Sequence, residues 1–348
     1  MLRDRVISAG FTAFAFSGLH RALARYTRGR GVILMFHHVR PWTGDGFAPN
    51  RLLEITPEFL DIVLGEVKAA GFEIQSMDAA LTSLAQSPGR ATAPFAVLSF
   101  DDGYRDNVEF ALPVLERHKA PFIQYVTTGF ADRSTSLWWR DLEAALRALP
   151  QLEGEASRLG NGQTNQTEAE KSRNFDAIYW KLRQTGEVNL RAAIRALAAS
   201  AGVDPAAITE ALCMDWAAIC DLARHPLCTI GVHTRTHPML AQIDAQEARS
   251  EMAQSRAEIE SRIGSPARHL SYPVGDPTSA GAREFAMARE LGFASAVTTR
   301  PGMILSAHQN RLHALPRLSI NGKWQQASYV NVLLSGAPFA LINRFQPA

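Results

Sequence analysis

Phe95-Ala96-Val97-Leu98-Ser99-Phe100-Asp101-Asp102-Gly103-Tyr104 runs an apolar strand pattern straight into two carboxylates and a glycine. A short run that is apolar at nearly every position reads as a strand buried on both faces. Adjacent side chains of a regular strand point to opposite faces, so Asp101 and Asp102 can serve one site only where the strand turns into a loop. Gly103 permits such a turn. The C-terminal end of a parallel strand is also where α/β proteins place their active sites. Taken alone, the motif is equally well an Asp-Asp-Gly turn that caps a helix.

Outward from this strand the same alternation repeats. Val32-Ile33-Leu34-Met35-Phe36 reads as a buried strand. Thr56-Pro57-Glu58 opens a helix with Thr56 as N-cap and Pro57 at the first position, and Phe59, Leu60, Val63, Leu64 and Val67 line one side. Gly71 stops it. Further strands are expected at residues 121–127, 229–232, 269–272, 294–298 and 315–320. Helices are expected through Leu112 to His118, from Asp244 to Gly264 and around 282–291. Asp244 with Glu247 has the spacing of a capping box. Strands alternating with amphipathic helices predict parallel βα units, hence an α/β sheet or barrel. Residues 141–211 carry no convincing strand and read as helices plus a loop inserted into that body, either shaping the substrate site or acting as a spacer.

A second strand-end motif is Gly231-Val232-His233-Thr234-Arg235-Thr236-His237-Pro238. Residues four apart share a face in a helix or tight turn, so both imidazoles can reach one ion. Pro238 disfavours a helical conformation at His237, which puts the pair on a loop. One aspartate and two histidines from two strand ends would give three N and O ligands and leave a position open, the layout of a catalytic Zn²⁺ or similar divalent site. Leu270-Ser271-Tyr272-Pro273-Val274-Gly275 is a third strand-end element, whose turn could aim a backbone N–H at an oxyanion.

Composition narrows the field. The chain has 348 residues, 46% hydrophobic and 20% charged, which excludes a disordered chain. A formal net charge of +2 gives no electrostatic footprint for nucleic acid or an anionic membrane. Cys213, Cys220 and Cys228 are odd in number and too widely spaced for a disulfide framework, which fits a reducing compartment. Residues 6–19 are apolar, follow Arg3 and Arg5, and precede Ala22-Leu23-Ala24, an outline shared with signal peptides. Asp4, His20 and Arg21 interrupt that outline. Residues 1–30 are therefore read as an apolar N-terminal helix that packs on the domain or touches a membrane surface. The expected place is cytoplasmic or membrane-peripheral, with export by a cleaved signal as the alternative.

In this order and at these separations, the F-D-D-G, H-T-x-x-H and Y-P-x-G elements resemble the polysaccharide deacetylase family. That family includes the nodulation chitooligosaccharide deacetylase and the bacterial poly-N-acetylglucosamine deacetylases, grouped as carbohydrate esterase family four. The resemblance implies a deformed (β/α) barrel over residues 31–345, with the N-terminal helix and the helical insertion as additions. It further implies a divalent metal, most simply Zn²⁺, and an N-acetylated oligo- or polysaccharide substrate. By residue, Asp101 matches the general base, and Asp102, His233 and His237 match the metal ligands. Tyr272 matches the position whose backbone amide holds the oxyanion.

Two departures from the family pattern shape the remaining assignments. The L-x-H element that usually supplies the general acid is absent, with His308 and His313 in its region. Met35-Phe36-His37-His38-Val39-Arg40 instead resembles a permuted form of that element in the poly-N-acetylglucosamine deacetylases. His37 is thus taken as the acid, with His38 second. The third motif also lacks its usual arginine; Arg317 in Leu315-Pro316-Arg317-Leu318 either supplies that charge to Asp101 or is a surface or barrel-rim arginine. Trp138-Trp139, with Asp141 and Glu143, is either a platform for a sugar ring or core.

The expected function is metal-dependent removal of N-acetyl groups from N-acetylglucosamine-containing chains. Rival readings are an amidase or deacylase acting on a small amide with the same site, and a carbohydrate-binding relative that has lost catalysis. A glycosidase fits poorly, because adjacent aspartates cannot readily flank a glycosidic bond at about 5–9 Å separation.

Overall fold

The computed structural model describes residues 10–12, 14–44, 46–86 and 93–343. Its strands are β1 (Gly31–Phe36), β2 (His38–Val39), β3 (Glu54–Ile55), β4 (Glu73–Ile74), β5 (Phe95–Phe100), β6 (Phe122–Val126), β7 (Cys228–Val232), β8 (His269–Ser271), β9 (Ser295–Pro301) and β10 (Leu315–Ser319). Seven of these, β1 and β5 to β10, pair in parallel around a closed ring. Closure comes from β1, which pairs with β5 from Gly31↔Phe95 to Phe36↔Phe100 and with β10 on its other side. The short β4 hangs on the start of β5, and β2 with β3 forms a separate parallel pair. Helices surround the ring, so the architecture is the α/β barrel expected, closed with seven strands.

Both faces of the ring are buried, which is why its strands read as unbroken apolar runs. Val32, Leu34, Phe36, Ala96, Leu98 and Phe100 pack in the layer shared with helix residues such as Leu60, Val63 and Val67. Ile33, Val97, Ile123, Tyr125, Val297 and Leu315 fill a second cluster, the barrel interior. Further along these inward rows the side chains turn polar: Ser99 on β5 and Asp101 just past its end, Ser271 on β8, Arg317 on β10. The interior is therefore apolar at the bottom and ionic at the C-terminal mouth. Gly231 on β7 keeps the ring closed around Tyr125, since a Cβ there would lie 2.5 Å from that phenol ring.

Capping chemistry sets the helix bounds. Thr56 Oγ1 accepts from Phe59 N–H at the start of Pro57–Ala69, and Gly71, at φ 83°, follows its end. Asp244 caps Ala245–Ile263 through the N–H of Gln246. The expected box with Glu247 does not form: the Asp244 carboxylate accepts from the second helical residue, and no reciprocal bond from Glu247 occurs among the described residues. A full box closes instead at Thr167–Glu170. Between β6 and β7 lie Trp138–Ala148, Gly154–Leu159, Glu168–Leu182, Glu187–Ser200 and Pro205–Leu212, which share their own apolar cluster. The first of these helices starts at Trp138, three residues before the boundary read from sequence. At the N-terminus, residues 1–9 and 13 of the apolar stretch lie outside the described residues. Helix Leu19–Thr27 packs its His20, Ala24 and Thr27 side inward. Among the described residues no helix is long and apolar enough to cross a membrane.

A buried ion network joins the insertion to the barrel mouth. Glu54 accepts from Arg140 at 2.6 Å and from Arg40 at 2.8 Å, while Arg140 also reaches Glu143 at 2.9 Å. Burial alone would raise the Glu54 carboxyl, but the surrounding cations, Arg140 foremost, outweigh it and pull the value down to about 2. The folded value lies below the unfolded one, so this group's contribution is complete above pH 5 and is lost as the pH falls through 4.5 towards 2. Its size is about 3 kcal/mol at neutral pH. Urea melts at pH 7 and pH 3 should show that Glu54→Gln is less stable at pH 7 and loses less on acidification; parallel losses in both proteins would contradict this.

Candidate active site

Asp101 and Asp102 stand at the end of β5. Asp101 N–H still donates to Phe36 C=O, and then Asp102 and Gly103 both take φ 70°. This left-handed step breaks the strand's alternation and leaves both carboxylates at the mouth. A non-glycine residue at such a φ is strained, and strain of this kind collects at functional sites. Thr234 and His237 share it, at φ 63° and 59°.

The Asp102 carboxylate faces the two imidazoles. Its Oδ1 lies 3.4 Å from His233 Nε2 and 3.4 Å from His237 Nε2, all three groups being buried. A spacing of 3.4 Å matches the edge of a tetrahedron with bonds of about 2.1 Å. Asp102 Oδ1 is buried with no hydrogen-bond partner, an expensive state unless something else occupies the three-way gap. His233 Nδ1 donates to Ser271 C=O at 2.7 Å, which fixes the tautomer and leaves the Nε2 lone pair facing Asp102. Burial would raise the Asp102 carboxyl, yet the two imidazoles beside it hold it well below the ordinary value, so it is anionic. The donor set fits a divalent ion of the zinc type.

Asp101 belongs to a different arrangement. Arg317 Nη1 donates to its Oδ1 at 2.8 Å and Nη2 to its Oδ2 at 2.7 Å. The guanidinium spends its remaining bonds on Thr298 C=O at 2.9 Å, Ser99 Oγ at 3.2 Å and Ser271 Oγ at 3.0 Å. Both partners are fully buried. Burial pushes the Asp101 carboxyl up, and Arg317 with His233 outweighs it, so the group sits below its ordinary value and is ionised. Arg317 is thus a barrel-interior cation locked on Asp101 rather than a rim arginine.

The two histidines after β1 separate. His38 is buried, stacks on Tyr104 at 3.5 Å and shares a 2.5 Å hydrogen bond with Asp106 through Nδ1. Burial lowers its pKa strongly and raises that of Asp106 to about 7. His37 is partly exposed, its ring has no hydrogen-bond partner among the described residues, and Asp102 and Asp101 are its chief charged neighbours. Asn107 Nδ2 holds the His37 carbonyl at 2.7 Å. His313 Nε2 donates to Phe293 C=O, and His308 Nδ1 accepts from Leu305 N–H. Both precede the strands they flank, at the opposite end of the barrel from the carboxylates, so neither can stand in for His37.

One expectation needs correction, and one open alternative closes. Tyr272 N–H donates to Val297 C=O at 3.1 Å in the β-ladder, so it is not free to meet an oxyanion. Pro273 has no N–H, and Gly275 N–H turns back to Pro273 C=O. Val274, at φ 62°, is left as the residue of this turn whose N–H has no acceptor among the described residues. Trp138 and Trp139 are core, not an open platform, at 3% and 6% exposed. Trp139 does back the site, with its ring 4.9 Å from that of His237.

Several supports had no motif to announce them. Glu251, on the helix Ala245–Ile263, accepts from the N–H groups of Arg235 and Thr236 at 2.9 and 2.7 Å and from Thr236 Oγ1 at 2.8 Å. From the insertion, Arg191 donates to Thr236 C=O at 2.7 Å, and Glu187 accepts from Met239 N–H at 2.6 Å. The strained His233–His237 loop is thereby clamped from both sides. Glu251 did leave one trace in the sequence, an acid on the same helical face as Ala248, Met252 and Ile259.

Residues 89–295, more than half of the chain, match the family model described as polysaccharide deacetylase. Among solved structures, the Streptococcus pyogenes deacetylase PplD in complex with acetate is similar at TM-score 0.55 and 17% identity, over 92% of this chain and 100% of that one. IcaB from Ammonifex degensii gives 0.52 and 16%, over 87% and 98%. The BpsB deacetylase domain from Bordetella bronchiseptica gives 0.50 and 14%, over 83% and 95%. Identities this low speak for the barrel alone. No curated protein matches.

Proposed function

This chain belongs to the polysaccharide deacetylase family, hydrolases of N-acetyl amide bonds, and on that premise we propose that it removes acetyl groups from N-acetylglucosamine units of an oligo- or polysaccharide. The observation that carries the reading is the Asp102–His233–His237 cluster set beside an Asp101 that belongs to a separate ion pair. Binding a sugar needs neither a ligand set nor a buried, oriented base.

Asp102, His233 and His237 would hold the ion, for which we propose Zn²⁺. A bound divalent ion of this kind polarises the acetamide carbonyl and lowers the pKa of water. Asp101 takes the proton of the attacking water, and Arg317 keeps that carboxylate ionised and aimed. His37, the ring without a partner at the mouth, delivers the proton that the leaving amine requires. Val274 N–H takes the oxyanion role that the ladder denies to Tyr272.

An acetate-release assay over N-acetylglucosamine oligomers of increasing length tests the proposal. Release that stops with chelator and returns with Zn²⁺ is expected. Turnover of small amides with no acetate from any oligomer would replace the substrate. Tight oligomer binding by metal-loaded protein without release would make the chain a binding relative.

A further inference from the structure

The N-terminal thirty residues carry six arginines, Arg3, Arg5, Arg21, Arg25, Arg28 and Arg30, against the single acid Asp4. Their formal charge of +5 exceeds that of the whole chain, +2, so the remainder is net negative. Apolar exposure concentrates in the same place. Phe16 is 87% exposed, Tyr26 70% and Leu19 50%, all within eleven residues of chain. At about 100° per residue, Leu19, Ala22 and Tyr26 fall on one stripe of the helix Leu19–Thr27, and Arg21 and Arg25 form the row beside it. The other side of the helix is docked: His20, Ala24 and Thr27 are buried, and Thr27 Oγ1 donates to Ser335 C=O at 2.6 Å. Neither Arg21 nor Arg25 has an acidic partner among the described residues, and Arg25 lies 4.5 Å over the ring of Tyr26. Arg28 and Arg30 are instead bonded to backbone carbonyls at Ala70, Ser83 and Gln86.

We propose that this face binds the surface of an anionic phospholipid bilayer. Arginines beside an exposed apolar stripe suit a helix lying in the plane of the headgroups, cations on phosphate and Phe16, Leu19 and Tyr26 in the acyl boundary. A nucleic acid would satisfy the arginines and leave that stripe in water. The segment continues along the barrel wall to the mouth side: Phe11 stacks on Trp324 at 6.3 Å, and Thr12 Oγ1 meets Tyr329 OH at 3.0 Å, beyond the C-terminal end of β10.

Sedimentation of the full chain with sucrose-loaded vesicles tests this without reference to turnover. Binding to phosphatidylglycerol/phosphatidylcholine vesicles is expected, with little to phosphatidylcholine alone, and release as salt rises from 0.1 to 0.5 M. Arg21→Gln/Arg25→Gln and Phe16→Ser/Leu19→Ser/Tyr26→Ser should each lower the partition coefficient at least tenfold. These residues are remote from the site, so acetate release from soluble oligomers, if the proposed function holds, stays at the wild-type rate. Full-length protein left in the supernatant with anionic vesicles would overturn the proposal. Unchanged binding by the apolar triple variant would do so too, because it would reduce the attraction to charge alone.

Discussion

Asp101→Asn is expected to lower kcat for N-acetyl hydrolysis by about 10³-fold, within the range for loss of a positioned general base. Metal stoichiometry should stay at the wild-type value, because Asp101 lies outside the three-residue cluster that converges on Asp102 Oδ1. The amide side chain keeps the shape and one acceptor but cannot take a proton. The same change removes the counter-ion of Arg317, a guanidinium with no exposed surface. Stripping one partner from a buried pair costs about 3–5 kcal/mol, so a large fall in denaturation midpoint should accompany the loss of turnover. Asp101→Asn/Arg317→Gln should recover part of that stability and none of the activity. Near wild-type turnover by Asp101→Asn would end the base assignment.

The second large effect concerns the ligands. His237→Ala removes one of three protein donors and should abolish stoichiometric binding of Zn²⁺ measured by competition with a chelator. Removal of an outer support should be milder. Glu251→Gln, which weakens the bonds that hold the loop at Arg235 and Thr236, is expected to reduce affinity by roughly 10–100-fold. A His237→Ala protein that still bound one ion tightly would show that the cluster is not the metal site. Equal losses from both substitutions would mean that the loop's conformation, rather than its ligands, sets the affinity.

Much of the barrel was legible because it is written in consecutive residues. β1 and β5 announce themselves as apolar runs, since helices cover one face and barrel packing fills the other. The Asp101-Asp102-Gly103 turn and the His233–His237 loop follow their strands immediately, so the chain position alone predicts that both reach the mouth.

The sequence ranked His37 ahead of His38 by resemblance alone, and it could not choose between a rim and an interior position for Arg317. His38 is decided by Asp106, 68 residues away, and Arg317 by Asp101, 216 residues away. The Tyr272 amide is decided by the ladder partner Val297, which no motif contains. Trp138 and Trp139 carry the same aromatic pattern whether they face solvent or core, and only the packing of the inserted helices turns them inward.

The sequence by itself therefore determined the parallel α/β barrel, the family, and the strand ends from which the chemistry is drawn, because burial periodicity and short motifs are properties of neighbouring residues. The tertiary structure decided which groups pair, which amide is already spent, and which distant side chains brace the strained loop. Those are outcomes of contact between residues far apart in the chain, where pairing energies and burial are set by the surroundings that closure of the barrel creates.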